Sequence, residues 1–184
     1  MARIGFGDPR TFAISVQLAP DHHGVWLFGN LCYWVSNQIV GDFGVTTSLR
    51  DVLGQMQQII RDSEKRQSPA LCSAPPDDVF YALDSSLYDG EKVMNGRIPI
   101  PLPEEFAVFE GRIPVESFDG WKIFVIDCSE ETKILFKQEK EEGVRVAIID
   151  YGIFDKSLLE LHDYIDHIFE MESRRSSNSL GSAR

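Results

Sequence analysis

The opening segment, residues 1–42, contains two strand patterns bounded by turn residues, and no other feature constrains the fold as strongly. Asp8-Pro9 predicts a turn, because proline fixes its own φ and disfavours helix at the residue before it. From Thr11 to Leu18, apolar residues alternate with small or polar ones at the period of a half-buried strand. In the run from Val25 to Val35, apolar residues occupy both the odd and the even positions. This pattern predicts either a strand covered on both faces or a hairpin folded around Gly29-Asn30.

Three amphipathic patterns predict helices that pack against a sheet. Ser48 is a favourable N-cap, and apolar residues recur at helical spacing from Leu49 to Ile60. This helix should fade before Ser68-Pro69. A shorter helix begins at Pro75-Pro76-Asp77, and Asp155 is expected to cap a third helix near the C-terminus.

The segment between the second and third helices predicts an antiparallel meander. Asp119-Gly120 is a two-residue hairpin signal, and acidic turns at 129–131 and 139–143 separate further β-branched runs. The predicted strands are 112–118, 121–128, 132–138 and 144–151. Together these elements predict the α+β class, with two to three helices packed on a mostly antiparallel β-sheet.

The chain is long enough to bury a substantial core, and we expect a single domain over 1–172 followed by a disordered tail over 173–184. The least regular stretch is 89–105, where alternating prolines exclude a helix or a central strand. An extended surface connection is expected there. Because long irregular loops are often functional, this segment is a candidate contact region.

The cysteines and histidines indicate no metal or redox site. Cys32, Cys72 and Cys128 form no Cys-x-x-Cys pair, and Cys32 and Cys128 lie in strand patterns where a free, buried cysteine is expected. His22-His23 follow Asp21, but adjacent histidines point in different directions, which favours a solvated turn over a metal site. No signal peptide is recognisable and no apolar run is long enough to span a membrane, so cytoplasmic residence is expected.

The formal net charge of −11 restricts the classes of partner. It disfavours nucleic acid and anionic membrane surfaces, and it favours a cationic protein. Acidity for solubility alone would give the same charge. The carboxylates fall at predicted turns, where they suit a solvated surface and an acidic interface equally well. The candidate interface residues are Glu104, Glu105, Glu130, Glu131, Glu139, Glu141 and Glu142.

Sequence motifs of common enzyme classes are missing. Gly5-Phe6-Gly7 lacks a third glycine and precedes a strand, where a dinucleotide site requires a helix. The chain contains neither a phosphate-binding loop with Lys nor a Gly-x-Ser-x-Gly nucleophile motif. We therefore expect no catalytic residues, no cofactor and no metal.

The N-terminal residues also carry a family resemblance. The chain has a Gly-Asp-Pro-x-x-Phe-Ala-Ile start, a Trp-x-Phe-Gly run that leads into Tyr-Trp-Val, and a later Gly-Asp before a helix. The motif residues are Gly7, Asp8, Pro9, Phe12, Trp26, Gly29, Trp34, Gly41 and Asp42. This pattern resembles the Immunity 42 family, bacterial proteins encoded beside polymorphic toxins. The resemblance implies an antidote that acts by binding its cognate toxin.

The sequence therefore predicts a non-enzymatic immunity protein that neutralises the C-terminal domain of a cognate toxin by occlusion. The acidic surface implies a toxin with a basic surface, and neither nucleic acid nor membrane is expected as a partner. A protein-binding adaptor that uses a sheet edge or the proline-rich segment is the alternative. A small enzyme with scattered catalytic residues is a third hypothesis.

Overall fold

The computed structural model describes residues 2–20, 26–89 and 103–181, which form parts of two compact units. Unit 1 comprises Met1–Ile60, Ile113–Asp119 and Asp155–Arg184, and unit 2 comprises Arg61–Arg112 and Gly120–Phe154. The single domain expected over 1–172 stays a prediction. Together the units have antiparallel sheets and packed helices, which confirms the α+β class.

Unit 1 is built on an antiparallel sheet of five strands. They are β1 (Ile4–Gly7), β2 (Phe12–Leu18), β3 (Phe28–Val35), β4 (Gln38–Val40) and β5 (Thr46–Ser48). The order is β1-β2-β3-β4, and β5 also pairs with β3. Gly29 and Asn30 lie inside β3, opposite Leu18 and Gln17 of β2, so the predicted hairpin at this point is wrong and the continuous strand is confirmed.

The predicted strand from Thr11 is confirmed as β2, but the prediction that only one of its faces is buried is wrong. Ala13 and Ser15 are buried like their apolar neighbours. The reason lies in the neighbouring strand, where Trp34 donates its indole N–H to the Ser15 hydroxyl at 3.0 Å. The Trp34 ring therefore covers Ser15 on the face of β2 that was expected to be exposed.

Turns with unusual backbone geometry hold the strands of unit 1 together. At the predicted Asp8-Pro9 turn, the Thr11 N–H donates to the Asp8 carbonyl at 3.0 Å. Gly7 has a φ of +93°, and a Cβ there would lie 2.4 Å from the Phe12 carbonyl oxygen. After β4, Gly41 has a φ of +102°, and the N–H of Asp42 donates to the Ser117 carbonyl at 2.6 Å.

The long helices have apolar faces that are buried. Helix α1 (Leu49–Arg61) begins after Ser48, whose hydroxyl accepts the Asp51 N–H at 3.3 Å, as the N-cap prediction requires. Helix α4 (Ile153–Gly181) buries Leu158, Leu161 and Ile165. It begins two residues before Asp155, so the prediction of Asp155 as the cap is wrong and this carboxylate lies in the first turn. The disordered tail predicted from Ser173 stays a prediction, although α4 is described as far as Gly181.

Unit 2 contains a meander of three antiparallel strands in the order β6-β7-β8. They are β6 (Trp121–Asp127), β7 (Glu131–Gln138) and β8 (Arg145–Asp150). Helices α2 (Pro69–Ser73) and α3 (Pro76–Asp84) contribute to its core, in which the rings of Phe80 and Phe124 meet edge to face with centroids 5.1 Å apart. The last three predicted strands and the helix at Pro76 are confirmed.

Two predictions for the surrounding segments are wrong. No strand forms over 112–118, because Pro114 lacks an N–H for a ladder, and a 3₁₀ turn occupies Glu116–Phe118 instead. Cys128 is not a free cysteine, since it forms a disulfide with Cys72 of α2, with their Cα atoms 6.0 Å apart. Cys32 is free and buried, as expected.

The described residues contain no helix that is both long enough and apolar enough to cross a bilayer. Most of the proline-rich segment, residues 90–102, lies outside the described residues, as do Asp21 and His22-His23. The interpretations of these segments stay predictions.

Candidate functional site

The seven candidate interface carboxylates all belong to unit 2 and fall into three groups. Glu130 and Glu131 lie where β7 begins, and Glu139, Glu141 and Glu142 lie in the turn between β7 and β8. Glu104 and Glu105 precede a 3₁₀ turn at Phe106–Phe109. The groups occupy different parts of the unit, so the structure does not bring all seven together.

The first group is enlarged by a carboxylate from β8. Glu131 pairs in register with Asp150, and the N–H of Tyr151 donates to the Glu130 carbonyl at 3.1 Å. Glu130 and Asp150 are exposed, and Glu131 is half-buried. One end of the β7–β8 pair therefore carries three neighbouring acidic residues.

The second group lies at the opposite end of β7, roughly 24 Å away at the rise of an extended strand. Its three carboxylate residues, Glu139, Glu141 and Glu142, are exposed. Glu141 forms an ion pair with Arg145, the first residue of β8. The turn also contains the exposed Lys140, and among the described residues no salt bridge is formed with Glu139 or Glu142, so three carboxylates against Lys140 and Arg145 leave a net negative charge.

The third group is partly neutralised. The Lys65 ammonium lies 3.1 Å from the Glu105 carboxylate, and this contact raises the pKa of Lys65. Glu104 is exposed beside it. A carboxylate with a lysine of the same chain as its partner offers less to a cationic ligand than the unpaired acids of the β7–β8 turn.

Unit 1 has an acidic groove that the sequence patterns do not predict. It has a volume of about 360 Å³, and carboxylates project from residues in two separate segments. The lining residues are Asp51, Gln55, Pro114, Val115, Glu116 and Asp119. The Thr47 hydroxyl donates to the Glu116 carboxylate at 2.6 Å, which lowers the pKa of that carboxyl. No local pattern indicates this groove, because the two segments lie more than fifty residues apart in the chain.

Unit 2 has a cavity of about 330 Å³, and its wall includes the disulfide and the buried Asp127. Both carboxylate oxygens of Asp127 are already engaged: Thr132 donates to one at 2.7 Å, and Arg66 lies 3.4 Å from the other. Within the described ranges, no group of three or more His, Cys, Asp or Glu residues could hold a metal ion.

The motif residues of the N-terminal pattern mostly have structural positions in unit 1. Gly7, Asp8, Pro9, Gly41 and Asp42 form turns, whereas Phe12, Gly29 and Trp34 lie in the sheet. Trp26 differs, because 55% of its surface is exposed. The Arg50 guanidinium lies 5.7 Å from its ring centroid, within reach of a cation–π contact.

The model of the Immunity protein 42 family matches residues 1–164, and the chain belongs to this family. The resemblance inferred from the N-terminal motif is confirmed, and the family assignment gives the protein a toxin-neutralising immunity function. Among solved structures, it is similar to CdiI from Burkholderia dolosa AUO158, with 16% identity and a TM-score of 0.65. The match covers 86% of this chain and 97% of that chain, and it supports the fold. No curated protein matches significantly.

Proposed function

We propose that this immunity protein neutralises its cognate toxin by binding the toxin's C-terminal domain and occluding it, without chemical change to either protein. The observation that carries the proposal is the exposed acidic turn at Glu139, Glu141 and Glu142, in a chain with a net charge of −11. Carboxylates at both ends of the β7–β8 pair suit a toxin surface rich in Lys and Arg.

The acidic surface serves association more than final affinity. Complementary charges accelerate encounter between proteins and select against wrong partners, while the centre of an interface supplies most of the binding energy through apolar and aromatic contacts. The likeness to a CdiI supports a toxin delivered by contact-dependent inhibition. Residence in the cytoplasm, where such an antidote would meet its toxin, is part of the same proposal.

Coexpression with the toxin domain encoded beside the gene tests this proposal. We expect cells that carry both genes to survive, and the two proteins to copurify as a complex. Cells that carry the toxin domain alone should die. Survival without a complex would contradict occlusion, and death despite soluble expression of both proteins would contradict immunity toward that toxin.

A further inference from the structure

The two edges of the sheet in unit 2 differ in how their backbone groups are used. At the β6 edge, the Ile123 carbonyl accepts the Gly111 N–H at 2.9 Å, and the Asp127 N–H donates to the Arg66 carbonyl at 3.0 Å. The opposite edge is formed by β8, which pairs with β7 alone among the described strands. An edge strand with unused N–H and C=O groups is a template for another strand.

The register identifies the backbone groups of β8 that face outward. Tyr151 and Glu130 continue the β7–β8 register, and their N–H···O contact marks a hydrogen-bonded pair. Hydrogen-bonded and non-hydrogen-bonded pairs alternate along an antiparallel ladder. The backbone groups of Val146, Ile148 and Asp150 therefore point away from β7.

The side chains of these same three residues lie on an exposed face. Val146 is 41% exposed and Ile148 is 59% exposed, although natural edge strands are usually protected by charges or proline. The neighbouring part of this face is covered, since Leu135 of β7 and Phe124 of β6 belong to the core formed with α2 and α3. The helices thus leave an aliphatic strip uncovered on β8.

Acidic residues lie at both ends of this strip. One end has Glu130, Glu131 and Asp150, and the other has the turn that contains Glu139 and Glu142. The six residues of β8 span about 17 Å, the length of a typical strand. A complementary strand would have aliphatic side chains at its centre and cationic side chains near both ends.

We propose that β8 is a docking strand, to which an extended segment of the cognate toxin with this aliphatic and cationic pattern adds by β-augmentation. The inference rests on the proposed function and specifies its interface. Backbone hydrogen bonds would supply affinity, while the aliphatic strip and the flanking carboxylates would supply register and specificity.

A second copy of this chain fits the same edge poorly. Antiparallel pairing of two β8 strands centred on Ile148 would place Val146 of each copy opposite Asp150 of the other. A carboxylate opposite an aliphatic side chain gives up the apolar cross-strand contact that Val146 offers. The edge therefore suits a strand with aliphatic side chains opposite Val146 and Ile148 and a cationic one opposite Asp150 better than it suits a second copy.

Residue-resolved amide exchange measures the backbone part of the proposal directly. In the free protein, the amides of Val146, Ile148 and Asp150 should exchange quickly, whereas those of Ala147 and Ile149 are protected by β7. In the complex with the toxin domain, the first three should become protected. Unchanged fast exchange in the complex would overturn strand addition, and protection through self-association of the free protein would overturn the choice of occupant.

Substitution of the strip supplies a matched comparison. We expect Ile148→Glu to weaken toxin binding by about tenfold or more, and Ile148→Thr, which retains a β-branched side chain, to weaken it less. Ile39→Glu is the control, because Ile39 is a 45% exposed isoleucine on β4, at the edge of the other sheet. It should bind within about twofold of the parent.

The outcomes separate the two proposals. If the parent binds the toxin and protects cells while Ile148→Glu binds as tightly as Ile39→Glu, the proposal that β8 is a docking strand is wrong. Occlusion of the toxin by another surface would then remain the proposed function. If the parent itself neither binds nor protects, the proposed function fails first.

Discussion

At the scale of single residues, unit 2 contains a buried ion pair that should be sensitive to substitution. The side chains of Arg66 and Asp127 are 0% and 1% exposed, and the Arg66 guanidinium also lies 5.3 Å from the ring centroid of Phe154. A charge removed from water is tolerated while its contacts are present, and loss of one member of the pair takes a charge-assisted contact away from the other.

Asp127→Ala should lower the free energy of unfolding by about 1–3 kcal/mol, because Arg66 loses this contact and the buried Thr132 hydroxyl loses its acceptor. The double variant Arg66→Met with Asp127→Leu should lose less, because it replaces both charges of the pair with apolar side chains. Urea denaturation of the two variants and the parent measures the difference. A parent-like midpoint for Asp127→Ala would contradict the importance of this pair.

Two glycines provide a matched test of backbone geometry. Gly7→Ala should destabilise the protein by about 1–3 kcal/mol or more, because its positive φ and its contact with the Phe12 carbonyl leave no room for a Cβ. Gly54 lies in α1 with nothing within 4 Å of an added Cβ, so Gly54→Ala should stabilise by about 0.5–1 kcal/mol. Thermal denaturation compares them, and shifts of the same sign would be inconsistent with this account.

The sequence predicts the role of some of these residues and not of others. Asp8-Pro9 indicates a turn through local chemistry alone, and the structure has that turn. The constraint on Gly7 also involves the Ser157 hydroxyl, 2.7 Å from where a Cβ would be. A contact between residues this far apart in the chain depends on the tertiary fold, so no local pattern contains it.

At the scale of elements, the disulfide joins α2 to the residue that follows β6. Its cysteines are 56 residues apart, and closure of a loop of that length stabilises a fold by about 4 kcal/mol in the chain-entropy description. Reductant should therefore shift the urea midpoint of the oxidised protein downward. The Cys72→Ser, Cys128→Ser double variant is the control and should not respond. An equal response of both proteins would show that the disulfide is not the cause.

The spacing of apolar residues predicts the helices and strands whose buried face is apparent from their own sequence. Helix α1 and strands β7 and β8 form where their patterns indicate. Helix α2 was missed, although Ser68 followed by Pro69 is a helix start, with the Leu71 N–H 3.4 Å from the Ser68 hydroxyl. The disulfide and the exposed edge of β8 depend on which segments become neighbours, which a local pattern does not specify.

At the scale of the whole molecule, the acidic charge should act on association more than on stability. The triple variant Glu139→Lys, Glu141→Lys, Glu142→Lys should slow association with the toxin domain by about tenfold at low salt. The difference from the parent should shrink as salt is added, because the Debye length falls to about 8 Å at 0.15 M ionic strength. Stopped-flow or surface-based kinetics measure the rate.

A second triple variant separates local charge from total charge. Glu160→Lys, Asp163→Lys and Asp166→Lys alter exposed carboxylates of α4 and change the net charge by the same amount. This control should associate faster than the β7–β8 turn variant. Equal rates would indicate that total charge governs encounter and that the turn has no special role.

Neutralisation by stoichiometric, reversible binding can be measured by titrating the activity of the toxin. Purified toxin domain at a concentration well above the dissociation constant should lose activity linearly and reach zero at one equivalent of the immunity protein. Toxin recovered from the complex after denaturation and refolding should have unchanged mass and full activity. Complete inactivation by a small fraction of an equivalent, or a toxin of altered mass, would contradict the account.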